Sequence, residues 1–172
     1  KELIRVLHVD DESSFLGLTT EFLVREDDRF EIVTDTRPED GLDRLAVDSF
    51  DCIVSDYQMP TMTGIEFLEA VRESYPSLPF ILFTGEGSEA VASDAISAGA
   101  TDYLQKQTGT EQYQLLANRI LNAVESYQTQ YELKQYQLLV ETVGDPMYIL
   151  DDDGLITLAN EALAEMLVCE CQ

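Results

Sequence analysis

The 172-residue chain has no tryptophan, one histidine, three cysteines and only ten lysines and arginines. Each shortage closes off a class of protein. Ten basic residues against 34 acidic ones leave a formal net charge of −24, a field that repels phosphate backbones and anionic lipid headgroups. Direct nucleic-acid or membrane-surface binding by this segment is therefore not expected. Three cysteines supply neither a disulfide framework nor zinc-ligand spacing. Cys52 reads as a small core hydrophobe, while Cys169 and Cys171, two apart on an expected helix, point their side chains apart. No apolar run reaches the roughly 18 residues of a membrane span and no signal-peptide pattern is present, so a cytoplasmic location is expected. The sequence opens at Lys1 without methionine, ends at Gln172, and reads as a piece of something longer.

What is present can fold. Hydrophobic residues make up 45% of the chain, enough for one full domain and a remainder. The acidity is spread along the chain and not gathered in one block, as in proteins of high-salt cytoplasms, where salt screens surface carboxylates. The pattern centres on residues 51–64, DCIVSDYQMPTMTG. Cys52 to Ser55 form a short apolar run suited to a strand buried on both faces of a parallel sheet, and the run ends in Asp56. Comparable runs are Leu3 to Val9 before Asp10 and Asp11, Phe30 to Thr34, Phe80 to Phe83 before Thr84, and Thr101 to Leu104 before Lys106. Helical patterns alternate with them. One is capped by Ser13 or Ser14 and carries Phe15, Leu18, Phe22 and Leu23; others open at Pro38, Gly64 and Ser88. Five strand–helix alternations predict a doubly wound α/β domain with a five-stranded parallel sheet.

From Glu111 to Val143 the pattern becomes one long helix. Tyr113, Ala117, Ile120, Val124, Tyr127, Tyr131, Lys134 and Leu138 recur in steps of four and three, a short heptad stripe interrupted by Lys134. Its first turns are expected on the sheet; the rest either projects as a connector, pairs with a second copy as a homodimer, or folds back. After Gly144-Asp145-Pro146, two apolar runs (Met147 to Leu150, Leu155 to Leu158) flank an acidic turn ending in Gly154, a hairpin signal. A helix from Asn160 follows. The expected layout is residues 1–125 as the α/β domain, 111–143 as its long fifth helix, and 144–172 as the start of a second domain.

The polar residues at strand ends carry the chemistry. In open parallel sheets, ligands collect at the carboxyl ends of the strands, and Asp10, Asp11, Asp56, Thr84 and Lys106 all fall there. Clustered carboxylates repel unless a cation sits between them, and hard oxygen ligands suit Mg²⁺. A lysine adds a mobile positive charge and a threonine a hydroxyl donor. Carboxylate, Mg²⁺, lysine and hydroxyl are the parts that phosphoryl transfer requires. Singly, each position has a plainer account: helix caps for Asp10, Asp11 and Ser13, a turn residue in Thr84, a solvated charge at Lys106. Five together at strand ends favour the site.

The ordered segments VLHVDDES, IVSDYQMPTMTG, FILFTGEGS and ATDYLQK resemble the receiver domain of two-component response regulators, over residues 1 to about 125. The resemblance implies the flavodoxin-like sheet order 2-1-3-4-5, with Asp56 as phosphoacceptor. It further implies Mg²⁺ held by Asp11, Asp56 and the Gln58 backbone carbonyl, with Asp10 joining directly or through water. Lys106 would contact the phosphoryl group, Thr84 would swing to bond it, and Tyr103 would turn inward with Thr84. Gly85 would leave the phosphoryl site open, and Gln58 and Glu86 would tune the lifetime of the acyl phosphate. In that family a proline often follows the lysine; here Gln107 stands there, so the peptide geometry after Lys106 is left open. His8 reads as a packed strand histidine. Residues 145–167, DPMYILDDDGLITLANEALAEML, resemble the opening of a PAS sensor domain, and the combination resembles archaeal signalling proteins of halophiles.

The function implied is a phosphorylation switch. A phosphohistidine, on a kinase or a histidine phosphotransfer protein, donates to Asp56 with Mg²⁺. Thr84 and Tyr103 then bias the face formed by the fourth helix, fifth strand and fifth helix. Such a segment is no enzyme beyond its own phosphorylation and dephosphorylation, although the full-length protein could be a hybrid histidine kinase. Two other readings stand beside it. One is a pseudo-receiver serving only as an interaction or dimerisation module. The other is a haloacid-dehalogenase-like phosphatase, which wants a second Asp where Gln58 stands.

Overall fold

The computed structural model describes residues 3–85, 88–142, 145–151 and 154–169. Five parallel strands, β1 (Ile4–Val9), β2 (Phe30–Asp35), β3 (Cys52–Ser55), β4 (Phe80–Thr84) and β5 (Asp102–Gln105), form one sheet in the order β2-β1-β3-β4-β5. Between them lie α1 (Ser13–Glu26), α2 (Pro38–Leu45), α3 (Gly64–Ser74) and α4 (Glu89–Ser97), with α5 (Glu111–Thr142) following. This is the doubly wound α/β sheet that the alternation predicts, in the flavodoxin-like order that the resemblance implies, with an extended C-terminal helix.

Side-chain alternation along the strands builds two cores. Leu7, Val9, Ile53, Phe80 and Leu82 pack with Phe67, Leu68 and Val71 of α3 and Ala95 of α4. Ile4, Val6, Cys52, Val54, Ile81 and Phe83 face the other way, against Leu23 of α1 and Leu116, Ala117, Ile120 and Val124 of α5. His8 follows Val6 on that second face and is fully buried. Cys52, paired with Val6 in the sheet, is fully buried, and burial pushes its thiol up, which suits an inert core residue.

Local chemistry departs from expectation in two places. The α1 N-cap is Glu12, whose carbonyl accepts from Phe15 and Leu16; neither Ser13 nor Ser14 caps the helix. The buried face of α1 is Leu16, Thr19 and Leu23, with Leu18 exposed, because one sheet-facing position is a threonine that an apolar count passes over. Elsewhere the caps carry recognisable signals. Thr63 and Glu66 form a reciprocal capping box on α3, Ser88 caps α4, and Gly99 ends α4 at φ +96°.

The chain divides into two compact units, Lys1–Tyr127 and Gln128–Gln172. The heptad stripe changes character along α5. Tyr113, Ala117, Ile120 and Val124 are buried, whereas Tyr131 and Leu138 are exposed. In the second unit, β6 (Tyr148–Leu150) and β7 (Ile156–Ala159) pair antiparallel, and α6 (Glu161–Cys169) follows. The turn is held by Asp151, whose side chain accepts from the Leu155 N–H, with Gly154 at φ +80°. Asn160, nearly fully buried, accepts from Met147 and Leu163 backbone N–H groups and donates to the Val140 and Asp145 carbonyls. Cys171 lies outside the described residues.

Candidate functional site

Parallel pairing sets the rim of the site. Val9 of β1 aligns with Ser55 of β3, and Thr84 of β4 with Gln105 of β5, so Asp10, Asp56, Thr84 and Lys106 emerge at the same end of the sheet. Backbone bonds hold the exits: Asp56 N–H donates to the Val9 carbonyl and Lys106 N–H to the Thr84 carbonyl. Gly64 lets the loop after β3 close, since a Cβ there would run into the Asp56 carbonyl oxygen and the Leu82 side chain.

At that rim one ammonium joins two carboxylates. Lys106 Nζ lies 2.7 Å from Asp10 Oδ2 and 2.9 Å from Asp56 Oδ1. The other oxygen of each acid accepts a backbone N–H, Asp10 Oδ1 from Glu12 and Asp56 Oδ2 from Gln58, both at 2.9 Å. Asp10 is 1% exposed and Asp56 6%. Burial pushes the Asp10 carboxyl up from its ordinary value, and the bonds from Lys106 and Glu12 offset only part of that. For Lys106, burial acts to lower the pKa, but the two carboxylates outweigh it and hold the ammonium above the ordinary lysine value.

The remaining expected residues fall around this trio. Asp11 is exposed, so two carboxylates, and not three, meet at Lys106. Among the described residues no group of three or more His, Cys, Asp or Glu side chains is arranged to hold a metal ion. The donor chemistry nevertheless fits a hard divalent cation. Two buried carboxylates share one ammonium, which leaves an excess negative charge that Asp11 increases. Thr84 is 1% exposed at the end of β4. Tyr103 is partly buried against the α3 and α4 side of the sheet, and among the described residues its buried hydroxyl has no hydrogen-bond partner. Among the described residues, a Cβ on Gly85 would meet only Lys106 Cδ, at 3.9 Å, so that position is open. Glu86 lies outside the described residues.

Two residues near Lys106 have no signal in a motif. The Phe15 ring lies under the Lys106 ammonium, 4.2 Å from centroid to Nζ. Gln112, at the start of α5, accepts from the Gln107 N–H and donates to the Gly109 carbonyl. The Lys106–Gln107 peptide is trans. The helical spacing that put Phe15 on a core-facing stripe was the signal available for it; what it faces was not.

A buried, lysine-paired aspartate at the end of β3 of a 2-1-3-4-5 sheet defines a class, the strand-end aspartate sites of doubly wound signalling domains. The comparisons agree. The family described as "Response regulator receiver domain" matches residues 6–118, and a PAS domain family matches residues 134–169. The chain belongs to the response regulator receiver domain family. It is similar to the DNA-binding transcriptional regulator NtrC of Escherichia coli, 32% identical over 76% of this chain and 27% of that protein. It is also similar to the transcriptional regulatory protein FixJ of Bradyrhizobium diazoefficiens, 40% identical over 38% of this chain and 32% of that protein. The chain thus spans only a minor part of these curated relatives. Among solved structures it resembles a CheY-like receiver domain protein from Methanospirillum hungatei, with a TM-score of 0.67 and 26% identity. That match covers 75% of this chain and 99% of the other. Chemotaxis response regulator CheY4 of Vibrio cholerae is similar too, with a TM-score of 0.62 and 32% identity over 69% and 98%.

Proposed function

We propose that residues 1–125 act as the phosphoacceptor module of a two-component phosphorelay, with Asp56 as the acceptor. The observation that carries this reading is the sharing of Lys106 between Asp10 and Asp56, in a pocket where each carboxylate is also anchored by one backbone N–H. Asp56 Oδ1, turned to the ammonium, is the oxygen we assign to attack a phosphorus carried on a phosphohistidine. Lys106 already stands where negative charge would develop on the transferred group, so no reorganisation is needed to meet it. Asp10, Asp56, the Gln58 carbonyl and Asp11 are the groups we assign to Mg²⁺. The ion, when bound, would supply charge neutralisation for a transfer between two anions. Asp11, being exposed, would join from the solvent side.

Thr84 and Tyr103 form the proposed relay. A phosphoryl oxygen on Asp56 would draw the Thr84 hydroxyl, and Tyr103, whose buried hydroxyl has no partner to lose among the described residues, would follow it. Phosphorylation would thereby favour one of two existing states of the α4–β5–α5 face. Gln58 and Glu86 are assigned to the lifetime of the acyl phosphate. The partners are a cytoplasmic histidine kinase or histidine phosphotransfer protein, and, through the exposed stripe of α5, a second copy. Residues 111–143 serve as the connector and 144–172 as the start of a PAS-like sensor. No described helix is long and apolar enough to cross a membrane.

The test is intact-protein mass spectrometry after incubation with acetyl phosphate, with and without Mg²⁺, beside Asp56→Asn, in high salt. A Mg²⁺-dependent phosphoryl adduct that the variant lacks is expected. A folded wild type that neither takes the adduct nor binds Mg²⁺ would mean an interaction module instead.

A further inference from the structure

Beside its two acids, Lys106 has a third neighbour. Its Nζ sits over the Phe15 ring at 4.2 Å from the centroid, within the range in which an aromatic face attracts a cation. The Lys106 side chain is 17% exposed, so this attraction acts with little competition from water. The ring is itself held. Phe83 lies 5.7 Å away, Tyr113 6.2 Å, and His8 meets it edge-on at 6.3 Å. Tyr113 in turn stacks on Phe22, one α1 turn-pair along, at 4.7 Å and 3°. Phe15 therefore cannot swing away without disturbing the α1–α5 packing.

We propose that Phe15 is a positioning residue for Asp56 phosphorylation: its ring face holds the Lys106 ammonium beside Asp56 Oδ1. This rests on the phosphoacceptor reading above. Lysine ends a flexible four-carbon stem, and two carboxylates alone would let Nζ slide between them or out to water. A leucine at position 15 would fill similar space but present no negative face. The role thus needs an aromatic ring, and the ring's electrostatics, more than its bulk, set the effect.

The experiment replaces Phe15 in the full 172-residue chain with mono-, di- and trifluorinated phenylalanine, which drain the ring face of negative charge at nearly constant shape. Phe15→Leu is made beside them. With Mg²⁺ and acetyl phosphate, the labelling rate of Asp56 should fall stepwise, to about two- to fivefold below wild type for the trifluoro ring. The fold should be kept across the fluorinated set, with the melting midpoint falling only by the small step that a weakened cation–π attraction implies. Titration of Lys106 followed by its 13Cε resonance needs no phosphodonor, and should show a stepwise fall in pKa over the same series. A labelling rate and a Lys106 titration that both ignore fluorination would overturn the proposal and leave Phe15 as packing alone. A wild type that takes no phosphoryl group would defeat the phosphoacceptor reading, while the Lys106 titration would still decide whether Phe15 holds the ammonium.

Discussion

Gln112 Oε1 accepts the backbone N–H of Gln107 at 3.0 Å, and through this bond the first turn of α5 grips the residue that follows the site lysine. A proline at 107 would have no N–H to give. The glutamine side chain closes the arrangement by donating to the Gly109 carbonyl, and it is 9% exposed. Gln107→Pro should therefore cost about 1–2 kcal/mol, the usual penalty for leaving a buried acceptor unpaired. Gln107→Ala keeps the N–H and should be silent. Urea unfolding of both variants in high salt checks the pair, and equal losses would show that the side chain of Gln107, not its N–H, matters.

Lys106 balances two buried acids, so its removal should be felt most where both are ionised. Lys106→Met should lose about 3–5 kcal/mol at neutral pH, the scale for breaking a buried ion pair. In that variant the Asp10 carboxyl, already raised by burial, loses the Lys106 bond that offsets part of the rise, so its folded-state value stands further above the unfolded one. Stability is then present below the unfolded value and lost as pH rises, so the deficit against wild type should shrink toward acid pH. Chemical denaturation at several pH values measures it, and added Mg²⁺ should recover part of the loss.

His8 gives the opposite sign. It is wholly buried, neither ring nitrogen has a hydrogen-bond partner among the described residues, and burial, assisted by Lys106, lowers its pKa to about 3. The unfolded chain takes up a proton near the ordinary value of 6.5 while the folded chain does not. Stability is complete above that value and falls as pH drops below it, by about 1.4 kcal/mol per unit. Denaturant midpoints between pH 6.5 and 5, in EDTA, should show this slope in the wild type and a shallower one in His8→Leu. At pH 7 the leucine variant should match the wild type or exceed it, since no hydrogen bond is lost.

Two glycines at the site should answer differently to one methyl group. A Cβ on Gly64 would strike backbone at Asp56, so Gly64→Ala should destabilise by about 1–3 kcal/mol and slow labelling of Asp56. A Cβ on Gly85 meets Lys106 Cδ at ordinary contact distance, and Gly85→Ala should leave stability unchanged. Thermal melts of the two variants side by side are sufficient to test this.

Much of this molecule was determined by its linear pattern, because the relevant physics is local. Strands buried on both faces must be apolar throughout, and their ends must turn polar, so Asp10, Asp56, Thr84 and Lys106 could be placed at strand ends before any fold was seen. Alternation of strand and helix imposed the parallel sheet, and the acidic turn ending in Gly154 marked the hairpin, where that glycine takes φ +80°. What tertiary structure alone decided are relations between distant residues. Lys106 meets Asp10 across 96 positions, and that meeting buries Asp10 while its neighbour Asp11 stays in solvent. Period counting assigned Leu18 to the core, whereas the packed face of α1 runs through Leu16, Thr19 and Leu23. Phe15 under Lys106, and Gln112 holding Gln107, have no spacing rule behind them. Such contacts arise where separately folded elements come to rest against one another, and a sequence encodes that only through the whole fold.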